Sequence, residues 1–340
     1  MFRRPRSRRA LPLGLFAAAV FALPLALHSP YALSTLTLIG LYTIVTLGLC
    51  LLMGYAGQAS LGQAAFVGLG AYGSAILTRT FGLPGWLALL CACALTAAVA
   101  WLVGIPVLKL RGHYLAMGTL ALGVIVNIGL REWRSVTGGP SGLAGIPHFA
   151  LGPLTIKGDL QYYYLVWALV CVFLLISLNV VDSRFGRALR AIRASESAAE
   201  SLGVDLGRIK LAVFVLAAMY ASISGSLYAH YMTFISPGPF DLDSSVQFVL
   251  MAAVGGLASI WGAPFGTATV VLLALAIREL ALAIVPQAGG EYQAVVYGVL
   301  LVLIMIFLPE GVTVSGVRYV RERLARGVWV LKVRRGGRGL

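Results

Sequence analysis

A chain of 340 residues that is 59% apolar and only 11% charged is not a soluble globular protein, because soluble domains run at about 45–50% apolar and about 25% charged. Its net charge of +14 comes from 26 Lys and Arg against 12 Asp and Glu. These basic residues flank hydrophobic stretches and build no face of their own, which argues for membrane topology and against a nucleic-acid partner.

A spanning helix needs about 20 mainly apolar residues. Ten stretches qualify, at roughly 11–28, 33–53, 59–79, 86–109, 113–131, 160–181, 211–231, 245–261, 264–285 and 292–309. The expectation is an all-α polytopic membrane protein of about ten (8–10) transmembrane helices, forming a single transmembrane domain over 1–340. The first stretch follows Arg3, Arg4, Arg6, Arg8 and Arg9. With nine spans behind it, it reads as a retained signal-anchor. The third and eighth are interrupted by Gly, Gln and Ser. With the N-terminus in the cytoplasm, 21 of the 26 basic residues fall inside: in the arm 1–10, at Lys109 and Arg111, in the segment 182–210 and in the tail 310–340. Arg79, Arg131, Arg134, Lys157 and Arg278 fall on or toward the outside. The positive-inside rule therefore favours an even number of spans with both termini cytoplasmic.

Between the second and third spans lies a polar cluster, Gly54-Tyr55-Ala56-Gly57-Gln58-Ala59-Ser60-Leu61-Gly62-Gln63-Ala64-Ala65-Phe66. Gly57 and Gly62 can break or kink a helix at membrane depth, where freed backbone must face protein or a water-filled cavity. Two readings stand: a Gly-rich packing helix, or a gate or cavity-lining segment that uses Gly57, Gln58, Ser60, Gly62, Gln63 and Phe66. Cys50, Cys91, Cys93 and Cys171 all lie in apolar runs and read as small hydrophobes. Asn127 in the fifth span reads as interhelical glue. The external segment 132–159 is turn-rich, with Gly138-Gly139-Pro140 and Gly142.

The segment 182–210 is expected to be structured. Ser183 can cap a helix in which Arg187, Arg190 and Arg193 recur every three residues, and Ser195 can cap a second with Glu196 in its first turn. Gly203 is a plausible stop. Such helices serve either as a connector resting on anionic lipid or as a docking element for another protein, and the residues alone leave both open. Further on, His230 reads as interfacial. Gly255-Gly256-Leu257-Ala258-Ser259-Ile260-Trp261-Gly262 faintly echoes the 54–66 cluster, a hint of internal repetition. Arg278 and Glu279 lie in the ninth span and read as a helix-packing feature or a functional pair of charges.

No lysine follows a glycine, no histidine precedes a glutamate, and no Gly-x-Ser-x-Gly elbow occurs. The chain is thus expected not to be an enzyme, and any ATP-driven step needs another subunit.

Several motifs, in order, resemble the bacterial permeases of ATP-binding-cassette importers for branched-chain amino acids, the LivM-type member in particular. They are GYAGQASLGQAAFVGLGAYGSA (54–75), RGHYLAMGTLALGVI (111–125), TGGPSGLAGIP (137–147), RFGRALRAIRASESAAESLGVDLGRIKL (184–211), GGLASIWGAPFG (255–266) and FLPEGV (307–312). The resemblance implies a multi-pass subunit of the bacterial inner membrane, paired with a second homologous permease and two cytoplasmic ATPases. A periplasmic binding protein would deliver the ligand. It implies no cofactor on this chain, since the ATPases hydrolyse the ATP. It places the ATPase-coupling residues at Arg187, Arg190, Arg193, Glu196, Ala198, Ala199, Glu200 and Gly203, although Glu-Ser-Ala-Ala-Glu departs from a plain Glu-Ala-Ala. It sets the path between the two permease chains, near 54–73. Related importers of urea and short-chain amides share this architecture. An ATPase-independent secondary transporter or channel, and a membrane enzyme, are the readings from other classes.

Overall fold

The computed structural model describes residues 7–26, 29–110, 112–151 and 154–284, with Gly298 beyond them. The rest of the tenth predicted span, the tail 310–340 and FLPEGV lie outside the described residues, as does most of the basic arm.

Twelve α-helices are described: α1 (Ser7–Ala26), α2 (Pro30–Leu49), α3 (Gln63–Phe81), α4 (Gly85–Val107), α5 (His113–Glu132), α6 (Arg134–Thr137), α7 (Asp159–Asp182), α8 (Arg184–Ala194), α9 (Glu196–Ser201), α10 (Leu206–Met232), α11 (Leu242–Gly255) and α12 (Gly262–Ile284). In lipid, helices satisfy their own backbone, which is why apolar runs of this length take that form. Their ends follow local chemistry. Pro30 opens α2, Gly82 closes α3 in the left-handed region (φ 65°), and Asp205 caps α10 by accepting from the Arg208 amide at 3.1 Å.

Among the described residues, six stretches are long and apolar enough to cross a membrane: Pro30–Tyr55, Gly85–Val107, His113–Glu132, Asp159–Asp182, Leu206–Met232 and Gly262–Glu279. They match the second, fourth, fifth, sixth, seventh and ninth predicted spans, so the chain is a helical, multi-pass membrane protein. Three other spans differ from expectation. The apolar part of α1, Pro12–Leu25, is short. The third span begins at Gln63, because 57–62 is not helical, and α3, which carries Arg79 in its last turn, is not among the stretches apolar enough to cross. The eighth stops at Gly255; its 14 residues reach about 21 Å, against about 30 Å of hydrocarbon.

Two compact units divide the chain, Met1–Val249 and Leu250–Leu340, with the boundary inside α11. In the first, α10 packs against α2, α3 and α4, while α7 packs against α1 and α2. Small residues let α3 and α10 approach closely. A β-carbon on Gly225 would overlap the Val67 carbonyl, and one on Gly70 would overlap that of Ser222. Buried hydroxyls tie the helices together: Ser224 Oγ donates to the Leu41 carbonyl (2.8 Å) and Thr96 Oγ1 to Ser222 Oγ (3.0 Å). In the second unit, a tight reversal over 256–261 joins the end of α11 to α12. Gly256 there has φ 96°, and a β-carbon on Gly255 or Gly262 would overlap a carbonyl of the other. Arg278 and Glu279 present exposed side chains on α12.

The segment 132–159 is not wholly turn. Strand β1 (Leu143–Ala144) pairs antiparallel with β4 (Phe234–Ile235), in register Leu143↔Ile235, and β2 (Ala150–Leu151) pairs with β3 (Leu154–Thr155). Asn127 Nδ2 donates to the carbonyls of Pro237 (2.9 Å) and Phe240 (3.1 Å), so its glue joins a helix to a turn. His230 is buried, with Nδ1 donating to the Pro147 carbonyl and Nε2 accepting from Ser74 Oγ, both at 2.8 Å. A carbonyl can only accept, which fixes that tautomer. The residue read as interfacial therefore pins the segment 132–159 to α3 and α10.

Candidate functional site

Helix α2 does not end cleanly at Leu49. It widens into a π turn, Cys50–Tyr55, before the chain unwinds and restarts at Gln63. Gly57 makes the break, with φ 70°, a region open to glycine and costly for most side chains. Helix α2 runs antiparallel to α10, since Leu41 meets Ser224 and Gly48 meets Ala217. Helix α3 runs parallel to it, since Gln63 meets Ala217 and Ser74 meets His230. The unwound segment therefore lies beside the first half of α10, within about 16 Å of that helix's start. Irregular backbone at such depth needs partners. The Leu61 amide donates to Thr119 Oγ1 of α5 (3.0 Å), and the Ala64 amide to Ser245 Oγ of α11 (3.0 Å). Gln63 Nε2 donates to the Ala217 carbonyl of α10 (2.9 Å).

Most of the residues singled out in this segment are interior. Gly57 is exposed, but Gln58 is only 4% exposed, and Ser60, Gly62, Gln63 and Phe66 are buried too. Phe66 sets its ring edge-on to Phe214, with centroids 5.5 Å apart. A β-carbon on Gly62 would overlap the Thr119 carbonyl. The Gln58 amide, the Ser60 hydroxyl and Gln63 Oε1 have no hydrogen-bond partner among the described residues. Removing the Thr119 hydroxyl isolates the Leu61 amide. Thr119→Val is expected to cost about 1–3 kcal/mol, seen as a lower Tm in detergent.

The segment 182–210 folds as two short helices. Ser183 Oγ accepts from the Gly186 amide (3.2 Å) and Ser195 Oγ from the Ala198 amide (3.3 Å), the two caps expected from sequence. Gly203 ends α9 at φ 80°, with its amide on the Glu200 carbonyl (2.9 Å) and the Val204 amide on that of Ala199 (3.1 Å). This pair of bonds is a Schellman stop. Helix α8 buries Gly186, Leu189 and Ile192 and leaves Arg184, Arg187 and Arg190 exposed. On α9, Ala199 is buried, whereas Ala198 and Glu200 are exposed and Leu202, just beyond, is 81% exposed. The presented surface is thus Ala198, Glu200 and Leu202, with Ala199 behind it. Glu196 Oε1 accepts from Lys210 Nζ at 2.5 Å, tying α9 to the start of α10.

The three arginines are not equivalent. Arg187 Nη1 donates to the Asp182 carbonyl (3.3 Å), and Arg190 is exposed. Arg193 Nη1 donates to the Gly54 carbonyl in the π turn. A β-carbon on Gly57 would lie 3.3 Å from Arg193 Cγ. The segment 182–210 and the helix break, far apart in sequence, are in contact.

Sequence reasoning missed a small cleft of about 50 Å³ lined by Leu41, Tyr42, Val67, Ser224, Tyr228, Pro239, Phe240, Ser244, Gln247 and Phe248. The signal for it was thin. Ser224 and Tyr228 stand four apart on α10, and Ser244 and Gln247 three apart on α11, the spacing of one helix face.

Comparison with known proteins places this geometry in a lineage. The family described as branched-chain amino acid transport system / permease component matches residues 31–305. The high-affinity branched-chain amino acid transport system permease protein LivM of Escherichia coli is 34% identical over 302 residues, 82% of this chain and 68% of that protein. The probable branched-chain amino acid transport permease protein LivM of Methanocaldococcus jannaschii is 25% identical over 314 residues, 80% of this chain and 90% of that one. LivH of Escherichia coli, named in the same way, is 23% identical over 292 residues, 81% and 92% respectively. No solved structure matches the chain. Matched over most of its length, the chain belongs to the family of branched-chain amino acid transport system permease components.

Proposed function

We propose that this chain is the transmembrane permease subunit of an ATP-binding-cassette importer that moves branched-chain amino acids across a bacterial inner membrane. The observation that carries this reading is the family match over residues 31–305 together with the LivM relatives at 34% identity. It favours branched-chain amino acids over urea or short-chain amides, and a driven permease over an ATPase-independent transporter.

In this reading the whole chain is one transmembrane domain of about ten spans with both termini cytoplasmic, between a basic arm (1–10) and a basic tail (310–340). A second, LivH-like permease completes the pathway. Two cytoplasmic ATPases hydrolyse the ATP, and a periplasmic binding protein supplies the ligand, so this chain carries no cofactor and catalyses no reaction. The segment 182–210 is the coupling loop. Its α9 offers a small convex surface, Ala198, Glu200 and Leu202, of the kind that seats in a groove. Arg187, Arg190 and Glu196 flank it, and Gly203 shapes its end. The path runs between the two permeases beside 54–66. Gly57 reaches the surface, while Gln58, Ser60, Gly62, Gln63 and Phe66 lie behind it and back the gate.

Transport follows from alternating access. The ligand shifts the equilibrium between facing states only by its differential affinity for them, so a weak, transient site on the permease suffices and selectivity rests with the binding protein. The test is uptake of labelled leucine, isoleucine, valine and urea by proteoliposomes that hold the complete importer. Accumulation of the three amino acids is expected. Uptake of urea without leucine would transfer the chain to the amide class.

A further inference from the structure

We infer that Arg193 is the strut through which the coupling loop moves the helix break: its guanidinium, held on the Gly54 carbonyl, makes α8 and the 50–62 segment one mechanical element. This rests on the coupling reading above and adds the residue that carries the motion onward.

The Gly54 carbonyl belongs to the last turn of the helical run that begins at Pro30. The Leu51 and Leu52 carbonyls of that turn still accept from the Ala56 and Gln58 amides; beyond them the chain unwinds, and carbonyls at a helix end lose their amide partners and carry the negative end of the helix dipole. A guanidinium is a fitting partner, being cationic, planar and rich in donors. Arg193 is also in the last turn of α8, so one side chain bridges two helix ends. Its aliphatic stem lies against Gly57, the residue whose φ of 70° breaks the helix. The π turn at Cys50–Tyr55 adds a second irregularity at the same place, and such turns mark functional sites in helices.

Each end of α8 is fixed. Its start is capped by Ser183, and a β-carbon on Gly186 would overlap the Val181 carbonyl of α7. Its far end passes through Ser195 into α9, which is tied to α10 by Glu196–Lys210. The docking surface thus has two roots in the membrane domain. One enters α10, the helix at the centre of the first unit. The other, Arg193, reaches the π turn and Gly57, where the helical run that begins at Pro30 breaks. A push on α9 that reaches 56–62 passes along the second.

The test uses the complete importer in proteoliposomes, with labelled leucine and the ligand-loaded binding protein. Arg193→Ala is expected to keep ATPase co-purification within twofold of the parent. Stimulation of ATP hydrolysis by the loaded binding protein falls to the basal rate, and uptake falls at least tenfold. Arg193→Lys, which keeps the charge but not the fork of donors, recovers part of both. Loss of co-purification, as expected for Ala198→Trp, would make Arg193 an ordinary docking residue and overturn the strut. Unchanged uptake would overturn it as well. If Ala198→Trp leaves co-purification intact, it is the docking reading that fails, independently of Arg193.

A second pair of variants removes doubt about folding. A β-carbon on Gly57 would lie 3.6 Å from Arg193 Cβ, within disulfide range. In a background with the four native cysteines replaced by alanine, Gly57→Cys with Arg193→Cys is oxidised by copper–phenanthroline and reduced by dithiothreitol. Uptake at least threefold higher in the oxidised than in the reduced state is expected, because the cross-link restores the connection. Equal or lower uptake when cross-linked means that the contact must open during the cycle, which overturns the proposal.

Discussion

Placing a bulky side chain on the exposed face of α9 is expected to abolish uptake while leaving the membrane domain folded. In Ala198→Trp, the indole projects from a helix of six residues, Glu196–Ser201, whose outward face is small and whose apolar neighbour Leu202 is 81% exposed. Among the described residues, none covers the Ala198 side chain, which is exposed. Its methyl faces out, and the caps that hold α9, Ser195 at one end and Gly203 at the other, are untouched. A docked surface is packed to the density of a protein interior, so an indole that does not fit is expelled with the partner. ATPase co-purification should fall at least tenfold and uptake at least a hundredfold, with unchanged yield of the permease in membranes. The same substitution at Ala199 acts differently. That residue is buried, so Ala199→Trp disrupts the loop itself and lowers the Tm of the isolated chain.

The largest effect on stability is expected at the contact between α3 and α10. Gly225 sits against the Val67 backbone so closely that any β-carbon overlaps the carbonyl. The obstacle is a backbone, not the flexible end of a side chain, so the helices must separate. Gly225→Leu therefore costs about 3 kcal/mol or more, at the upper end of overpacking substitutions. The contacts that depend on this approach weaken with it, including Gln63 with Ala217 and Ser74 with His230. Gly129 is the internal control. Among the described residues, no heavy atom outside its own stretch of helix lies within 4 Å of a β-carbon built there, so Gly129→Ala in α5 is neutral or raises stability by up to about 1 kcal/mol through helix propensity. Heating the detergent-solubilised chain and following its monodisperse fraction separates the two cases.

What the sequence disclosed was local. Serine caps at 183 and 195 and the glycine stop at 203 are legible because cap chemistry acts over three or four residues. Apolar runs of about 20 residues disclosed six spans for the same reason. The eighth span misled because Gly-Gly-Leu-Ala-Ser-Ile-Trp is apolar enough to continue a run, yet it folds back at a glycine with φ 96°. Arginines 187, 190 and 193 look alike in sequence, spaced evenly on one short helix. Only the fold sets the last of them against a carbonyl 139 residues away. Likewise, Ala198 and Ala199 form one pair on paper, but a helix turns them about 100° apart, one to solvent and one to the interior. The Gly-rich cluster gave away the break at Gly57. It did not reveal that Gln58, Ser60 and Gln63 are interior, because burial there depends on α5, α10 and α11, all distant in the chain.

In the proposed function this chain is a passive gate whose driving force arrives through 182–210 from ATPases on another chain. Its most direct test is labelled leucine uptake by proteoliposomes that hold this chain and its partner permease, with the loaded binding protein outside, in the presence and absence of the ATPases and ATP. Accumulation against a gradient is expected only with ATPases and ATP together, and it should vanish with Ala198→Trp. Steady accumulation by the permeases alone, with no nucleotide-hydrolysing subunit, would contradict the account.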